Sequence, residues 1–371
     1  MNFKFTKIDL LEFTKFSDVK FEFVSGINVF IGKNGTGKTH LLKLLYTIAV
    51  ANNKVYTLKE RKIFSEIISE KLKGVFKISE LSHLFRSSEK KKENKKSEEE
   101  SNKSFDYTIN YYLEENQNGL FIQYVNAKDK IESAQDNSDK LIKYFPENIV
   151  YLPTQEVLTT YQDINRLKNV KTEFDETLFD LAESFVNKFI PKEKNEFQKK
   201  MFALIEEHLG GELIKEKDTF YIKYSHGKIE ATLLAEGIKK LATLYYLIEN
   251  GTITENSILI WDEPEIYFNP KLITILTKIL NELAVSGVQI FLATHDYLLT
   301  HQLSLLDEYR DSIENNTASI KFFCLEDSKE EGVKVFSGTN LTHIQNNPIL
   351  EEFASHYDRE RELFERSMNR G

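Results

Sequence analysis

The densest chemistry in the 371-residue sequence lies in Gly32-Lys33-Asn34-Gly35-Thr36-Gly37-Lys38-Thr39, followed by His40. The spacing G-x-x-x-x-G-K-T lets successive main-chain N–H groups converge on phosphate oxygens, because glycines take Cβ atoms out of the approach. A helix opening at Lys38 points its N-terminus at the same spot and adds a favourable dipole. Lys38 is then placed for the β and γ phosphates, and the Thr39 hydroxyl for Mg2+. The segment predicts binding of ATP together with Mg2+, with residues 32–40 as the contact set.

Further along, the apolar run Ile258-Leu259-Ile260-Trp261 ends in Asp262-Glu263-Pro264-Glu265. Two carboxylates at the end of a buried strand repel one another, at a cost on the order of several kcal/mol unless a cation is present. Bound Mg2+ supplies that cation. Asp262 is expected to hold it through its water shell, and Glu263 to orient or deprotonate the attacking water. Glu265 is expected in a solvated turn that caps the helix beginning at Pro270. A third strand, in Phe291-Leu292-Ala293-Thr294-His295-Asp296, delivers His295 to the carboxyl end of a parallel sheet, where ligands bind. There it is a candidate to donate to the γ phosphate and sense its loss.

These groups need a scaffold that brings three strand ends together. Alternating apolar positions in FKFTKID, VKFEFV and INVFI predict strands before the glycine-rich turn. Leu41, Leu42, Leu44, Leu45, Ile48 and Ala49 give the following helix, from Lys38 to Ala51, a wide apolar face. A less regular helical pattern runs from Leu58 to Phe85. FDYTINYYL and LFIQYVN read as a strand pair joined by ENQNG, and Asn148–Leu152 as a short buried strand stopped by Pro153. Between Thr172 and Leu209 lie two amphipathic helices, the first behind a capping box of Thr172 and Asp175. Neither lasts the three or four heptads of a long coiled coil. After strands at 211–216 and 219–224, a helix over Glu236–Glu249 leads to SILIW and VQIFLAT, which flank the helix from Pro270. Strand, helix, strand with short links implies a parallel sheet. SIKFFCLE and GVKVFS add a strand pair, and Ile349–Phe364 a last helix.

Composition bounds the rest. Apolar residues at 41% against 29% charged describe a globular chain of two or three structural units. No apolar run is long enough to span a bilayer, and the charged start MNFKFTKIDLLEF lacks a secretory core, so a cytoplasmic protein with no membrane partner is expected. One cysteine, Cys324, excludes an internal disulfide and a multi-thiolate zinc site. A net charge of -9 argues against a surface that binds nucleic acid throughout, while permitting one basic patch, so DNA is kept as a partner class. Ser87 to Ser104 holds six Lys, five Glu and no apolar side chain, and reads as a mobile loop rather than a basic arm.

Taken in order, the phosphate loop, Leu234-Ala235-Glu236-Gly237, LIWDEPE and FLATHD resemble the ATP-binding-cassette (ABC) class of ATPases, in the branch with RecF-like, SMC-like and OLD-like proteins. YLPTQEVLTTY, FDETLFDLA, AEGIKKLATLYYLIENG and DEPEIYFNP are similar, more closely, to stand-alone bacterial ATPases of phage-defence and abortive-infection systems. The resemblance implies an α/β fold: an ABC-type P-loop ATPase head, a mixed sheet flanked by helices, with a largely helical insertion between phosphate loop and signature. Residues 1–55 and 211–371 would form the head, and 56–210 the insertion. It implies hydrolysis of ATP by a homodimer or higher oligomer that sandwiches two nucleotides. Ala235, Glu236 and Gly237 would then touch the γ phosphate of the partner's nucleotide. Ala235 stands where a serine hydroxyl is usual, which leaves that contact to backbone N–H groups and to Lys239 or Lys240. Tyr151–Glu156 falls at the Q-loop, with Gln155 or Glu156 as the contact to Mg2+ or water. Asn269 stands where related proteins often carry histidine. The residues after His295 contain no Asp-x-Asp pair or carboxylate cluster of the sort that a two-metal nuclease uses. The implied role is therefore sensor and scaffold for a separate effector, a nuclease or toxin, in antiphage defence. The alternatives are a RecF-like DNA-repair ATPase, a transporter ATPase subunit and an ATP-binding module that does not hydrolyse.

Overall fold

Apolar runs of five or six residues without polar alternation are too short for helices, and they fold as strands covered on both faces. The computed structural model describes residues 4–58, 64–86, 106–113, 120–125, 130–134, 148–168, 170, 173–186, 193–312, 316–328, 332–344 and 346–368. The chain begins β1 (Phe5–Phe13), β2 (Phe16–Glu22), β3 (Ile27–Gly32), α1 (Lys38–Leu58), α2 (Phe64–Phe76), β4 (Asp106–Leu113), β5 (Leu120–Val125), β6 (Lys130–Ala134) and β7 (Ile149–Leu152). Then come α3 (Tyr161–Arg166), α4 (Glu176–Glu183), α5 (Glu196–Leu209), β8 (Glu212–Glu216), β9 (Thr219–Tyr224), β10 (Gly227–Glu230) and α6 (Glu236–Glu249). The last third holds β11 (Ile258–Asp262), α7 (Pro270–Val285), β12 (Gln289–Ala293), α8 (Tyr297–Glu308), β13 (Ile320–Ser328), β14 (Gly332–Gly338) and α9 (Pro348–Met368).

The central sheet has the order β14-β13-β3-β12-β11-β7. All its neighbours pair parallel except β13 and β14. The period of two sorts its side chains between two cores. Val29, Trp261, Leu292 and Phe322 face one, with α6 and α7, and Phe30, Ile260, Phe291 and Phe323 face the other, with α1 and α2. A second, antiparallel sheet, β2-β1-β4-β5-β6, covers the α1 face. Two buried amides join the sheets. Gln289 accepts from the Phe5 N–H at 2.9 Å and donates to the Phe5 and Val24 carbonyls, while Asn28 binds the Val24 N–H and carbonyl. Satisfied buried amides of this kind set register as well as adding stability.

Several expectations change. Strand β7 falls within 56–210 yet pairs parallel with β11 from Ile258↔Ile149 to Trp261↔Leu152, so these residues belong to the central sheet and not to an insertion. The anticipated strand pair is three strands, and they extend β1 instead of standing apart, because open strand edges need hydrogen-bond partners. Helix α4 is capped by Asp175, whose side chain accepts from the N–H groups of Thr177 and Leu178, so Asp175 is the cap and not the third residue of a box. The reciprocal capping box occurs one helix later, between Asn195 and Gln198. Ser87–Ser104 and Thr172 lie outside the described residues. No helix among the described residues is long and apolar enough to cross a membrane.

Candidate active site

The carboxyl ends of β3, β11 and β12 meet because β12 lies between the other two. β3 leads into the phosphate loop at Gly32, where a Cβ would stand 2.4 Å from the Leu325 carbonyl oxygen of β13 and the backbone has φ +143°. Gly35 and Gly37 also take positive φ. These positions need glycine for geometry, which is the condition for main-chain N–H groups to converge. The loop is fastened by the Thr36 hydroxyl, which donates to the Lys33 carbonyl at 2.9 Å. Lys38, nearly buried, donates to the carbonyls of Gly32 at 2.8 Å and Lys33 at 3.0 Å. Burial pushes its ammonium down to about 8, against the opposing pull of Glu263 and Asp262. Lys33, Asn34 and Gly35 are exposed along the rim. The His40 ring packs edge-on against Phe76 of α2, their centroids 5.7 Å apart.

Asp262 closes β11 with 8% of its surface exposed. Its Oδ2 accepts from the Thr39 hydroxyl at 2.9 Å and from the Tyr151 hydroxyl of β7 at 3.3 Å. Burial raises the Asp262 carboxyl, only partly offset by those two donors, so its charge is under-compensated within the chain. That suits a divalent cation. Thr39 and Asp262 are hard oxygen donors in contact, and no group of three or more His, Cys, Asp or Glu converges among the described residues. Such a pair fits Mg2+, which keeps water and phosphate oxygens in its shell instead of needing a protein cage.

Glu263 sits in the left-handed region at φ +47°, its N–H bound to the Ala293 carbonyl at 2.9 Å. This strained turn, of the sort that collects at functional sites, sends its side chain away from Asp262 and toward β12. There Glu263 Oε1 is 3.5 Å from His295 Nε2. Burial lowers the His295 imidazole, and Lys38 lowers it further, so it is neutral near pH 7. Glu265 departs from the solvated turn expected of it. Its Oε1 accepts from the Thr294 hydroxyl at 2.7 Å and the His295 N–H at 3.2 Å, tying the end of β11 to the end of β12. Asn269 performs the capping, accepting from the Leu272 N–H at 3.0 Å.

At the start of α6, the exposed Ala235 is the N-cap without a side-chain acceptor, while its carbonyl accepts from the N–H groups of Ile238 and Lys239, so only the N–H groups of Glu236 and Gly237 lack a cap from it. Glu236 pairs with Lys239 at 2.7 Å. A Cβ on Gly237 would lie 2.8 Å from the Tyr267 carbonyl oxygen, so α6 packs tightly on the turn after Glu263. Lys240 donates to the Glu263 carbonyl at 3.2 Å, and burial pushes it to about 8. Both lysines named for a contact to a partner's phosphate are thus engaged within their own chain. Gln155 is exposed, three residues past the end of β7, and Glu156 binds the N–H and hydroxyl of Thr159. Tyr151, Lys240 and Glu265 all fall in segments picked out from sequence, but their roles here do not show there, since each acts through a partner distant in sequence. The visible hint is only that Tyr151 lies within a buried strand and Glu265 three residues past the end of another.

Comparison with known proteins gives the family. Residues 27–300 match the family described as AAA domain, putative AbiEii toxin, Type IV TA system. A stretch of 57 residues is 37% identical to the DNA replication and repair protein RecF of Cytophaga hutchinsonii, covering 15% of each chain. The chain therefore spans about 15% of the length of that curated relative. Among solved structures, an SMC head bound to the C-terminal winged-helix domain of ScpA matches with TM-score 0.52 at 13% identity, over 90% of this chain and 97% of that one. The Pyrococcus furiosus SMC head with an extended coiled coil, bound to the C-terminal domain of ScpA, matches with TM-score 0.50 at 10% identity, over 97% and 100%. At these identities the likeness is one of fold, that of an SMC-type ABC ATPase head. With the phosphate loop, Asp262, Glu263 and His295 gathered at one sheet end, the chain belongs to the AAA-domain family described as putative AbiEii toxin, Type IV TA system, and has the fold of an SMC-type ABC ATPase head.

Proposed function

We propose that this chain binds ATP with Mg2+ at the phosphate loop and hydrolyses it to ADP and phosphate, with Glu263 as general base. The observation that carries the reading is the Thr39–Asp262 contact beside Glu263, whose own carboxylate turns toward His295. Loop N–H groups and Lys38 bind the β and γ phosphates, Lys38 exchanging its two carbonyl partners for phosphate oxygens. Thr39 and Asp262 would hold the Mg2+, with Gln155 kept as the Q-loop candidate for the same ion. When bound, the cation offsets phosphate charge. Glu263 accepts a proton from water as its oxygen attacks the γ phosphorus, and the bond to the β-phosphate oxygen breaks. His295 holds the Glu263 carboxylate and senses departure of the γ phosphate.

The uncapped N–H groups after Ala235 suit the γ phosphate of a nucleotide on a second copy, in an ATP-sandwiched homodimer or higher oligomer. In this reading 1–55, 149–152 and 211–371 make up the head. The output is to a separate effector, a nuclease or toxin, in bacterial antiphage defence. The family's description as a putative toxin of a Type IV TA system favours a defence setting over a transporter subunit. The RecF identity favours one second reading, a DNA-dependent repair ATPase. Glu263→Gln should leave ATP binding intact, slow hydrolysis by about 100-fold to 10,000-fold, and trap an ATP-dependent dimer in size-exclusion chromatography. Turnover at the parental rate would remove Glu263 from the role. Stimulation of parental turnover by DNA, without any effector, would favour the second reading.

A further inference from the structure

A tyrosine to which the Q-loop resemblance gives no role stands against the carboxylate assigned to the cation. Tyr151 is 3% exposed on β7, and its hydroxyl donates to Asp262 Oδ2 at 3.3 Å. The same oxygen accepts from Thr39 at 2.9 Å, so two hydroxyls from different elements, α1 and β7, fix one carboxylate oxygen. Burial holds the Tyr151 phenol far above its ordinary range, which keeps it a donor. Behind it, the Tyr46 ring meets the Tyr151 ring edge-on with centroids 5.6 Å apart. The Tyr46 hydroxyl donates to Asp180 Oδ2 at 2.6 Å. Asp180 is held by Lys71, whose side chain is 2% exposed and which also donates to Glu176 at 2.8 Å. The segment FDETLFDLA, which the nucleotide chemistry leaves unused, thereby reaches the metal-binding carboxylate through a continuous series of contacts.

We propose that Tyr151 is a positioning residue of the cation site: its hydroxyl fixes the Asp262 carboxylate for a divalent cation bound with nucleotide, and the Tyr46–Asp180–Lys71 cluster holds the Tyr151 ring. The proposal rests on the nucleotide reading above. Its warrant is that hydrogen-bond partners behind a metal ligand set the ligand's orientation, and that removing one typically lowers metal affinity by about 10-fold to 100-fold. Thr39 alone leaves the carboxylate free to rotate about that single bond. Tyr151→Phe deletes only the hydroxyl and keeps the ring packed on Tyr46.

The test titrates Mg2+ into the parental protein, Tyr151→Phe, Asp262→Asn and the double variant, each with a fixed amount of a fluorescent ATP analogue, reading binding by anisotropy. Tyr151→Phe should raise the half-saturating Mg2+ concentration about 10-fold and leave Mg2+-free affinity for the analogue unchanged. Added to Asp262→Asn it should do nothing more, because it acts through that carboxylate. Tyr46→Phe should shift the curve the same way by less. A Tyr151→Phe curve superimposed on the parental one, or an equal shift in both backgrounds, overturns the proposal while parental binding upholds the nucleotide site. A parental protein that binds no analogue at any Mg2+ concentration overturns both.

Discussion

Two clusters of buried charge flank Tyr151, and they are built on opposite terms. In the α4 cluster every charge is answered inside the chain. Lys71 donates to Glu176 and Asp180, Asp180 accepts also from Tyr46, and Lys43 pairs with Asp175 at 2.6 Å. Even the backbone conforms, since a Cβ on Gly74 of α2 would lie 1.9 Å from Glu176 Oε2. At the phosphate-loop cluster the accounts stay open. Lys38 meets only carbonyl oxygens, Glu265 Oε2 is buried with no partner among the described residues, and Glu263 occupies strained backbone. Burial therefore pushes Lys38 down and Asp262 up, which is the signature of groups held for something outside the chain. A closed cluster fastens elements together, and an open one recognises a ligand.

The sharpest way to break this contrast is to remove the central lysine of each cluster. Lys71→Met leaves the half-buried Asp180 and Glu176 without their cation and should cost about 1–3 kcal/mol in urea unfolding. Affinity for nucleotide in the folded fraction should stay at the parental value. Lys38→Met should do the reverse. Its charged hydrogen bonds to phosphate are worth about 1.5–3 kcal/mol each, so ATP affinity should fall roughly 100-fold by calorimetry while unfolding free energy holds or rises. If each variant instead showed the other's phenotype, the assignment of site and staple would be inverted. The pH dependence sharpens the same point. In the free protein Lys38 titrates near 8, and bound phosphate raises that value, so binding takes up a proton above pH 8. ATP affinity should be full below pH 8 and decline as pH climbs past it. Lys240 also titrates near 8 but binds the Glu263 carbonyl, so the decline should vanish in Lys38→Met and persist in Lys240→Met.

The open cluster was largely legible from sequence and the closed one hardly at all, and the reason is physical. A phosphate loop encodes its geometry in adjacent residues, because the glycines, Lys38 and Thr39 act within one turn. Strand ends at Asp262 and His295 follow from apolar runs that can only be buried strands. Lys71 and Asp180, by contrast, lie 109 positions apart, and Tyr151 and Asp262 lie 111 apart. Either lysine or tyrosine reads in isolation as an ordinary helix or strand residue. The same holds for the fold. β7 has the apolar character of a strand, but its place beside β11 is a tertiary fact. Helix α9 is visible from its periodicity, whereas the finding that it buries none of its residues depends on where the neighbouring elements end.

The smallest effect separates two jobs held by one residue of the closed cluster. Asp175 caps α4 through Oδ1, accepting from the Thr177 N–H at 3.0 Å, and pairs with Lys43 through Oδ2. Asn caps about as well as Asp, so Asp175→Asn keeps the cap and deletes the ion pair. With side chains 19% and 21% exposed, that pair is partly screened, and its loss should cost no more than about 1 kcal/mol, less in high salt. Asp175→Ala removes the cap as well and should cost about 1–2 kcal/mol more. Equal losses in the two variants would mean that charge, not capping, fastens α4 to α1, and Lys43 would then join Lys71 as a staple.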